Sequence, residues 1–76
     1  MQTFQIKVVN SDFTSGGDLD ALDSQDARKK ALKAALQMGI DEVCKGSPFF
    51  GAEVHVEADG VVKERFLVSI GQSPLQ

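Results

Sequence analysis

The sequence predicts an α+β domain in which one helix packs on one face of a three-stranded, mainly antiparallel sheet, in the order β-α-β-β. Three observations support this fold class. Apolar and polar residues alternate over 4–9, strong helix formers fill 27–45, and a longer alternation over 52–70 is interrupted by the turn formers Asp59 and Gly60. A single helix covers only one face of such a sheet, so we expect the other face to be exposed.

The first strand and the segment after it have different signatures. In the strand, successive side chains point to opposite faces, so Phe4, Ile6 and Val8 form the inward set, while Gln5, Lys7 and Val9 form the outward set. Residues 10–18 are rich in turn formers and predict either a flexible loop or the bend of a short hairpin. The conformation of residues 10–21 stays open at this point.

The predicted helix begins at Asp23, whose carboxylate can accept a hydrogen bond from the free amides of the first turn, with Ser24 as the alternative cap. Asp26 adds negative charge at the positive end of the helix dipole. Gly39 either permits close approach to the sheet or ends a first helical segment, and the Gly-Ser-Pro run at 46–48 ends the helix. One broad face should cover the sheet: Leu32, Ala35, Leu36, Gly39, Ile40 and Val43.

The terminal alternation predicts a β-hairpin, and its register depends on the length of the turn. A two-residue turn of Asp59 and Gly60 would set Lys63 and Arg65 opposite inward-facing valines, which places cations on the apolar face. We therefore predict a three-residue loop over 58–60, with Gly60 at a left-handed position. This loop gives three cross-strand pairs: Val56 with Val62, Ala52 with Phe66, and Glu53 with Arg65. Glu64 then falls on the apolar face, near the hairpin tip or the sheet margin.

Length and charge limit the functional classes. The 76 residues form one domain, 1–76, which we expect to be ordered over about 3–70 and to end in a flexible tail at 71–76. A net charge of −3 disfavours binding to nucleic acid or to an anionic membrane. A chain this short buries little surface, so a homo-oligomer or a protein partner would add stability.

Chemistry-bearing residues are few and scattered. The carboxylates of Asp18, Asp20, Asp23 and Asp26 do not follow the spacing of a calcium loop, and helix capping explains most of them. Cys44 has no partner for an internal disulfide and is expected to pack semi-buried near the helix end. We predict no enzyme activity, no catalytic or metal site and no cofactor. The single cysteine, the lack of a signal-like start and the lack of a long apolar run predict a cytoplasmic protein.

The exposed side of the sheet is the candidate interaction surface. Aliphatic and charged side chains are expected to share it, which is typical of a face that meets another protein or a second copy of the chain. The candidate residues are His55, Val61, Lys63, Arg65 and Leu67. The alternative is a small-molecule or nucleic-acid binding module that uses a basic helix surface with the hairpin cations: Arg28, Lys29, Lys30, Lys33, Lys63 and Arg65.

Three motifs together resemble a family of short bacterial proteins known as a domain of unknown function. They are the first strand TFQIKV, the acidic entry and helix LDSQDARKKALKAAL, and the hairpin EVHVEADGVVKERFLVSI, which together extend from Thr3 to Ile70. The resemblance implies a bacterial origin and no activity. The chain has Val9-Asn10-Ser11-Asp12 where family members often carry a His-Asp-Gly turn. Its element order is also similar to that of dodecins, which stack flavin on a tryptophan that this chain lacks.

Overall fold

The computed structural model describes residues 1–75 and shows one helix packed on one face of a four-stranded antiparallel sheet. The elements are β1 (Gln2–Val9), β2 (Thr14–Ala21), α1 (Ser24–Cys44), β3 (Phe49–Ala58) and β4 (Val61–Gly71). The strand order is β2-β1-β3-β4. The α+β class with a single helix is confirmed, while the predicted count of three strands is corrected to four. We call the side under the helix the helix face and the other side the open face.

The additional strand is β2, in the segment whose conformation the sequence left open. It pairs with β1 along its whole length, from Val9 opposite Thr14 to Gln2 opposite Ala21. Asn10 closes the hairpin, because its Oδ1 accepts hydrogen bonds from the amides of Asp12 at 2.7 Å and Phe13 at 3.2 Å. The two glycines of the segment therefore lie inside a strand, where pairing with β1 compensates for their low strand propensity.

The start of α1 confirms the predicted cap. Asp23 Oδ1 accepts a hydrogen bond from the Asp26 amide at 2.8 Å, and Asp26 Oδ2 accepts one from the Leu22 amide at 3.0 Å. This reciprocal arrangement satisfies the Asp26 amide of the first turn and the Leu22 amide just before the cap. At the other end Gly46, with φ of 116°, follows the last turn and donates to the Val43 carbonyl at 3.1 Å.

The helix meets the sheet through small residues. Its buried positions recur every four residues and are Ala27, Ala31, Ala35 and Gly39. A Cβ added at Gly39 would lie 2.5 Å from Cδ1 of Ile70, so this glycine permits close approach and does not interrupt the helix. Ile40 was expected on the covered face but is 53% exposed, because the buried stripe is centred on the alanines.

The hairpin register differs from the prediction by two residues. The turn has two residues, Asp59 with φ of 53° and Gly60 with φ of 78°, as a type I′ turn requires. A bulge in β4 at Lys63 then restores the alternation that the two-residue turn would have broken. The observed pairs replace the three predicted ones: Ala58 with Val61, Val56 with Glu64, Val54 with Phe66, Ala52 with Val68, and Glu53 with Leu67.

Other features of the hairpin prediction are confirmed. Gly60 has the predicted left-handed conformation, and Val54 and Phe66 both lie on the helix face, where Val54 is fully buried. Glu64 is half-buried on that face, opposite Val56. Strand β4 continues to Gly71, and the Gln72 amide donates to the Pro48 carbonyl at 2.9 Å, so hydrogen bonding extends past the predicted limit at residue 70. Gln76, the last residue of the predicted tail, lies outside the described residues.

The molecule is a thin, elongated two-layer slab. Its radius of gyration is 13.5 Å and its extents are 48 × 21 × 16 Å, whereas a compact chain of this length has a radius of gyration of about 11 Å. Of the 12 buried hydrophobic residues in the described part of the chain, six are alanine, so the core is narrow. Within residues 1–75, the core lies entirely between the helix and one side of the sheet.

Candidate interaction surface

The open face is organised in rows that cross the four strands. Strand pairing places one residue of each strand side by side, and paired residues point to the same face. Three rows cover the middle of the face. They are Thr14, Val9, Glu53 and Leu67; then Gly16, Lys7, His55 and Arg65; then Asp18, Gln5, Glu57 and Val62. We call Lys7, His55 and Arg65 the basic row.

The structure brings three of the five predicted surface residues together. His55 pairs directly with Arg65, and Leu67 lies two residues along β4 on the same face, where it is 78% exposed. Lys63 is the unpaired residue of the bulge. Val61, expected on the open face, instead pairs with buried Ala58 on the helix side near the hairpin tip. Because the bulge adds one residue to β4, Val61 and Val62 lie on the faces opposite to those predicted. Val62 therefore takes the open-face position opposite Glu57.

Two further apolar residues belong to this surface. Phe49 is 63% exposed and lies on the open face, since the next residue, Phe50, is buried on the helix face. Its ring lies over Gly51: a Cβ at Gly51 would be 2.9 Å from Phe49 Cε1. Phe49, Val9 and Leu67 line one shallow groove of about 500 Å³, and we call these three residues the apolar cluster. The sequence signal that could have indicated this contact is a glycine two residues after a phenylalanine, which places both on the same face of a strand.

Charges of both signs remain available on the open face. His55 Nε2 lies 3.5 Å from Glu53 Oε1 but makes no hydrogen bond to residues 1–75, although the atom is buried. Lys7, Arg65 and Glu57 have no ion-pair partner in the described part of the chain. Lys7 and Arg65 lie on either side of His55 in the basic row, and this row contains no carboxylate. Opposite charges from another molecule would stabilise this arrangement.

The cations of the alternative site do not share one surface. Arg28 lies over the Phe66 ring on the helix side, with its Cζ 4.6 Å from the ring centroid. Lys30 Nζ lies 3.3 Å from Asp26 Oδ2 and donates to the Asp20 carbonyl at 2.9 Å. Arg65 lies on the opposite layer, in the basic row. The predicted basic set is therefore divided between the helix and the open face.

The acidic residues near the start of the helix have structural roles. Asp23 and Asp26 cap the helix, and Asp20 Oδ1 accepts a hydrogen bond from Thr3 Oγ1 at 2.8 Å. Among residues 1–75, no group of three His, Cys, Asp or Glu side chains is placed to hold a metal ion. Cys44 is a free thiol and is exposed, which corrects the expectation that it packs semi-buried.

Within residues 1–75, α1 is too polar a helix to cross a membrane.

Comparison of the chain with family models, with curated proteins and with solved structures gives no match. The resemblance to the bacterial domain of unknown function therefore stays a prediction, based on the motifs between Thr3 and Ile70.

Proposed function

We propose that this chain is a non-enzymatic cytoplasmic module that forms a homodimer through the open face of its sheet. The observation that carries the proposal is the apolar cluster, in which Leu67 is 78% and Phe49 63% exposed on adjacent strands of a regular sheet. Glu53 lies between Val9 and Leu67 in this cluster, and exposed apolar side chains interspersed with charged ones are typical of protein contact surfaces. The exposed thiol of Cys44 supports a reducing compartment.

The thin shape of the molecule supports the same proposal. Half of the buried hydrophobic residues are alanine, so the monomer gains little from burial. The two longer extents of the molecule, 48 and 21 Å, are compatible with the roughly 800 Å² per partner that a standard interface buries. Packing two open faces together would place the sheets at the centre and the helices outside, as in a four-layer sandwich.

The charges favour a two-fold contact. In a symmetric dimer the same patch meets itself, so each patch must offer both signs of charge. Along β3, the basic row is bordered by Glu53 on one side and Glu57 on the other. Rotating the second copy by half a turn can therefore place cations of one subunit over carboxylates of the other, while the apolar clusters exclude water.

Sedimentation velocity over a range of protein concentrations tests the proposal. We expect wild type to dimerise and Leu67→Glu to stay monomeric, because a carboxylate inside the contact would lose its water. Leu22→Glu is the matched control: Leu22 is 71% exposed and lies outside the sheet, between β2 and α1. Val9→Thr, in an interior strand, should weaken the dimer with little change in strand propensity.

Two results would contradict the proposal. Wild type could remain strictly monomeric at high micromolar concentration, or Leu22→Glu could disrupt association as strongly as Leu67→Glu. Circular dichroism melting curves for each variant separate loss of association from loss of folding.

A further inference from the structure

The two edges of the sheet are complementary to one another. Strands β2 and β4 occupy opposite edges, and within residues 1–75 the outer main-chain groups of neither strand are paired with a further strand. Because every neighbouring pair is antiparallel, β2 and β4 run in opposite directions. A second copy in the same orientation can therefore place its β4 antiparallel beside β2 of the first and continue the sheet.

Charge is divided between these edges. On the open face, β2 presents Asp18 and Asp20 and no cation, while β4 presents Arg65 next to the bulge residue Lys63. Asp18 and Arg65 each lack an ion-pair partner in the described chain. Asp20 is already bonded to Thr3, so Asp18 is the acidic residue available to a partner.

One pairing register between β2 and the β4 strand of a second copy brings Asp18 and Arg65 together. If Asp18 pairs with Arg65 of the second copy, antiparallel geometry places Gly17 opposite Phe66 and Gly16 opposite Leu67. On the helix face beside β2 lies an apolar groove of about 270 Å³, lined by Ile6, Gly17, Leu19, Ala34 and Met38 among others. A Cβ at Gly17 would meet nothing within 4 Å, so this position has space for a large cross-strand neighbour. A shift of two residues would instead face Asp18 with Leu67 or with the bulge.

The same register also brings opposite charges together on the helix face. Glu64 of the second copy would lie opposite Leu19, beside the Lys30 ammonium that binds the Asp20 carbonyl at the β2 edge. The half-buried Glu64, which contacts the apolar side of its own sheet, would then have a cation next to it. Both faces of the junction thus pair opposite charges, as cross-strand neighbours do in stable sheets.

We propose that β2 of one copy binds β4 of the next, which joins copies of this chain head to tail into one continuous antiparallel sheet. The junction is formed by the strand edges, and of the open-face residues it involves Arg65 and Leu67, which lie on the edge strand β4. A head-to-tail contact closes into a ring or extends into a filament, depending on the rotation between copies.

Disulfide trapping in the Cys44→Ser background tests the register. Four single-cysteine variants are prepared at exposed positions: Asp18→Cys, Thr14→Cys, Arg65→Cys and Ser69→Cys. They are mixed in pairs and oxidised with diamide. Facing residues of an antiparallel pair are about 4.5–5.5 Å apart between Cα atoms, within the range of a disulfide.

The proposal predicts covalent heterodimers for two mixtures, Asp18→Cys with Arg65→Cys and Thr14→Cys with Ser69→Cys. The two exchanged mixtures, Asp18→Cys with Ser69→Cys and Thr14→Cys with Arg65→Cys, are the matched controls. In each of them the two cysteines are four residues out of the proposed register. The proposal is overturned if all four mixtures cross-link equally, if none does, or if single variants link mainly to themselves. Adding Val9→Thr should leave the trapping unchanged, which distinguishes the edge junction from the open-face contact.

A charge exchange gives an independent measurement by light scattering. In the Val9→Thr background, which weakens the open-face contact, Asp18→Lys alone and Arg65→Glu alone should each weaken head-to-tail association by about tenfold, since a like-charged pair replaces an attractive one. An equimolar mixture of the two variants restores opposite charges at every junction and should recover assembly. Failure of the mixture to recover would contradict the proposed pairing.

Discussion

Gly39 of the helix lies directly against Ile70 of β4, so closely that a Cβ at residue 39 would be 2.5 Å from Cδ1 of Ile70. The same Cβ would be 2.8 Å from Cδ2 of Phe50. A Cβ at residue 39 would therefore require the side chains of Ile70 and Phe50 to move, and the alanines at 27, 31 and 35 continue the close contact along the helix.

Gly39→Ala should therefore destabilise the fold. Alanine is favoured over glycine in a helix by about 1 kcal/mol, but overpacking of this kind costs about 1–3 kcal/mol. We expect a net loss in the free energy of unfolding, measured by urea denaturation. Adding Ile70→Val removes Cδ1 and should recover part of the loss; a Gly39→Ala protein more stable than wild type would contradict the close contact.

The hairpin turn should be sensitive to Gly60 and tolerant at Asp59. Both residues have positive φ, 53° at Asp59 and 78° at Gly60. A residue with a Cβ in the left-handed region costs about 1–2 kcal/mol, so Gly60→Ala should lower the free energy of unfolding by that amount. Asp59→Asn is the matched control, because asparagine adopts this conformation readily. Equal stability of Gly60→Ala and wild type would be inconsistent with the turn.

The hydrogen bonds of Asp26 at the start of the helix predict how the stability of the protein changes in acid. The Leu22 amide, which donates to the Asp26 carboxylate, and then Lys30 hold the pKa of Asp26 below its ordinary value of 3.8. A lowered folded-state pKa contributes stability that is present above the unfolded value and is lost as the pH falls through the folded value. Asp26→Asn should therefore be less stable than wild type at neutral pH.

The difference between Asp26→Asn and wild type should shrink as the pH falls below about 4, where the unfolded-state carboxyl becomes protonated. Thermal melting temperatures of both proteins across this pH range measure the convergence. A difference that stays constant into strong acid would show that the ionised carboxylate does not carry the effect.

Local signals in the sequence were reliable guides to this fold. The Asp23 cap depends on one carboxylate and amides within three residues, and the left-handed Gly60 depends on the turn alone. Because each of these features depends on only a few neighbouring residues, the residue types alone are enough to predict it. The inward orientation of Val54 and Phe66 likewise followed from alternation within each strand.

Features that depend on a distant partner could not be predicted in this way. Strand β2 has a sequence rich in glycine and aspartate, and it is a strand because β1 pairs with it. The register of the hairpin depends on the bulge at Lys63, which reconciles a two-residue turn with the inward pattern of β4. The same bulge decides that Val62, and not Val61, lies on the open face.

The homodimer through the open face is tested most directly by methyl NMR spectra recorded at increasing protein concentration. Val9 lies on the open face of an interior strand, whereas Leu22 lies outside the sheet and is 71% exposed. We predict that the Val9 methyl resonances shift with concentration and that those of Leu22 do not. Val9 resonances that stay unchanged up to high micromolar concentration, or equal shifts at both residues, would contradict the proposed interface.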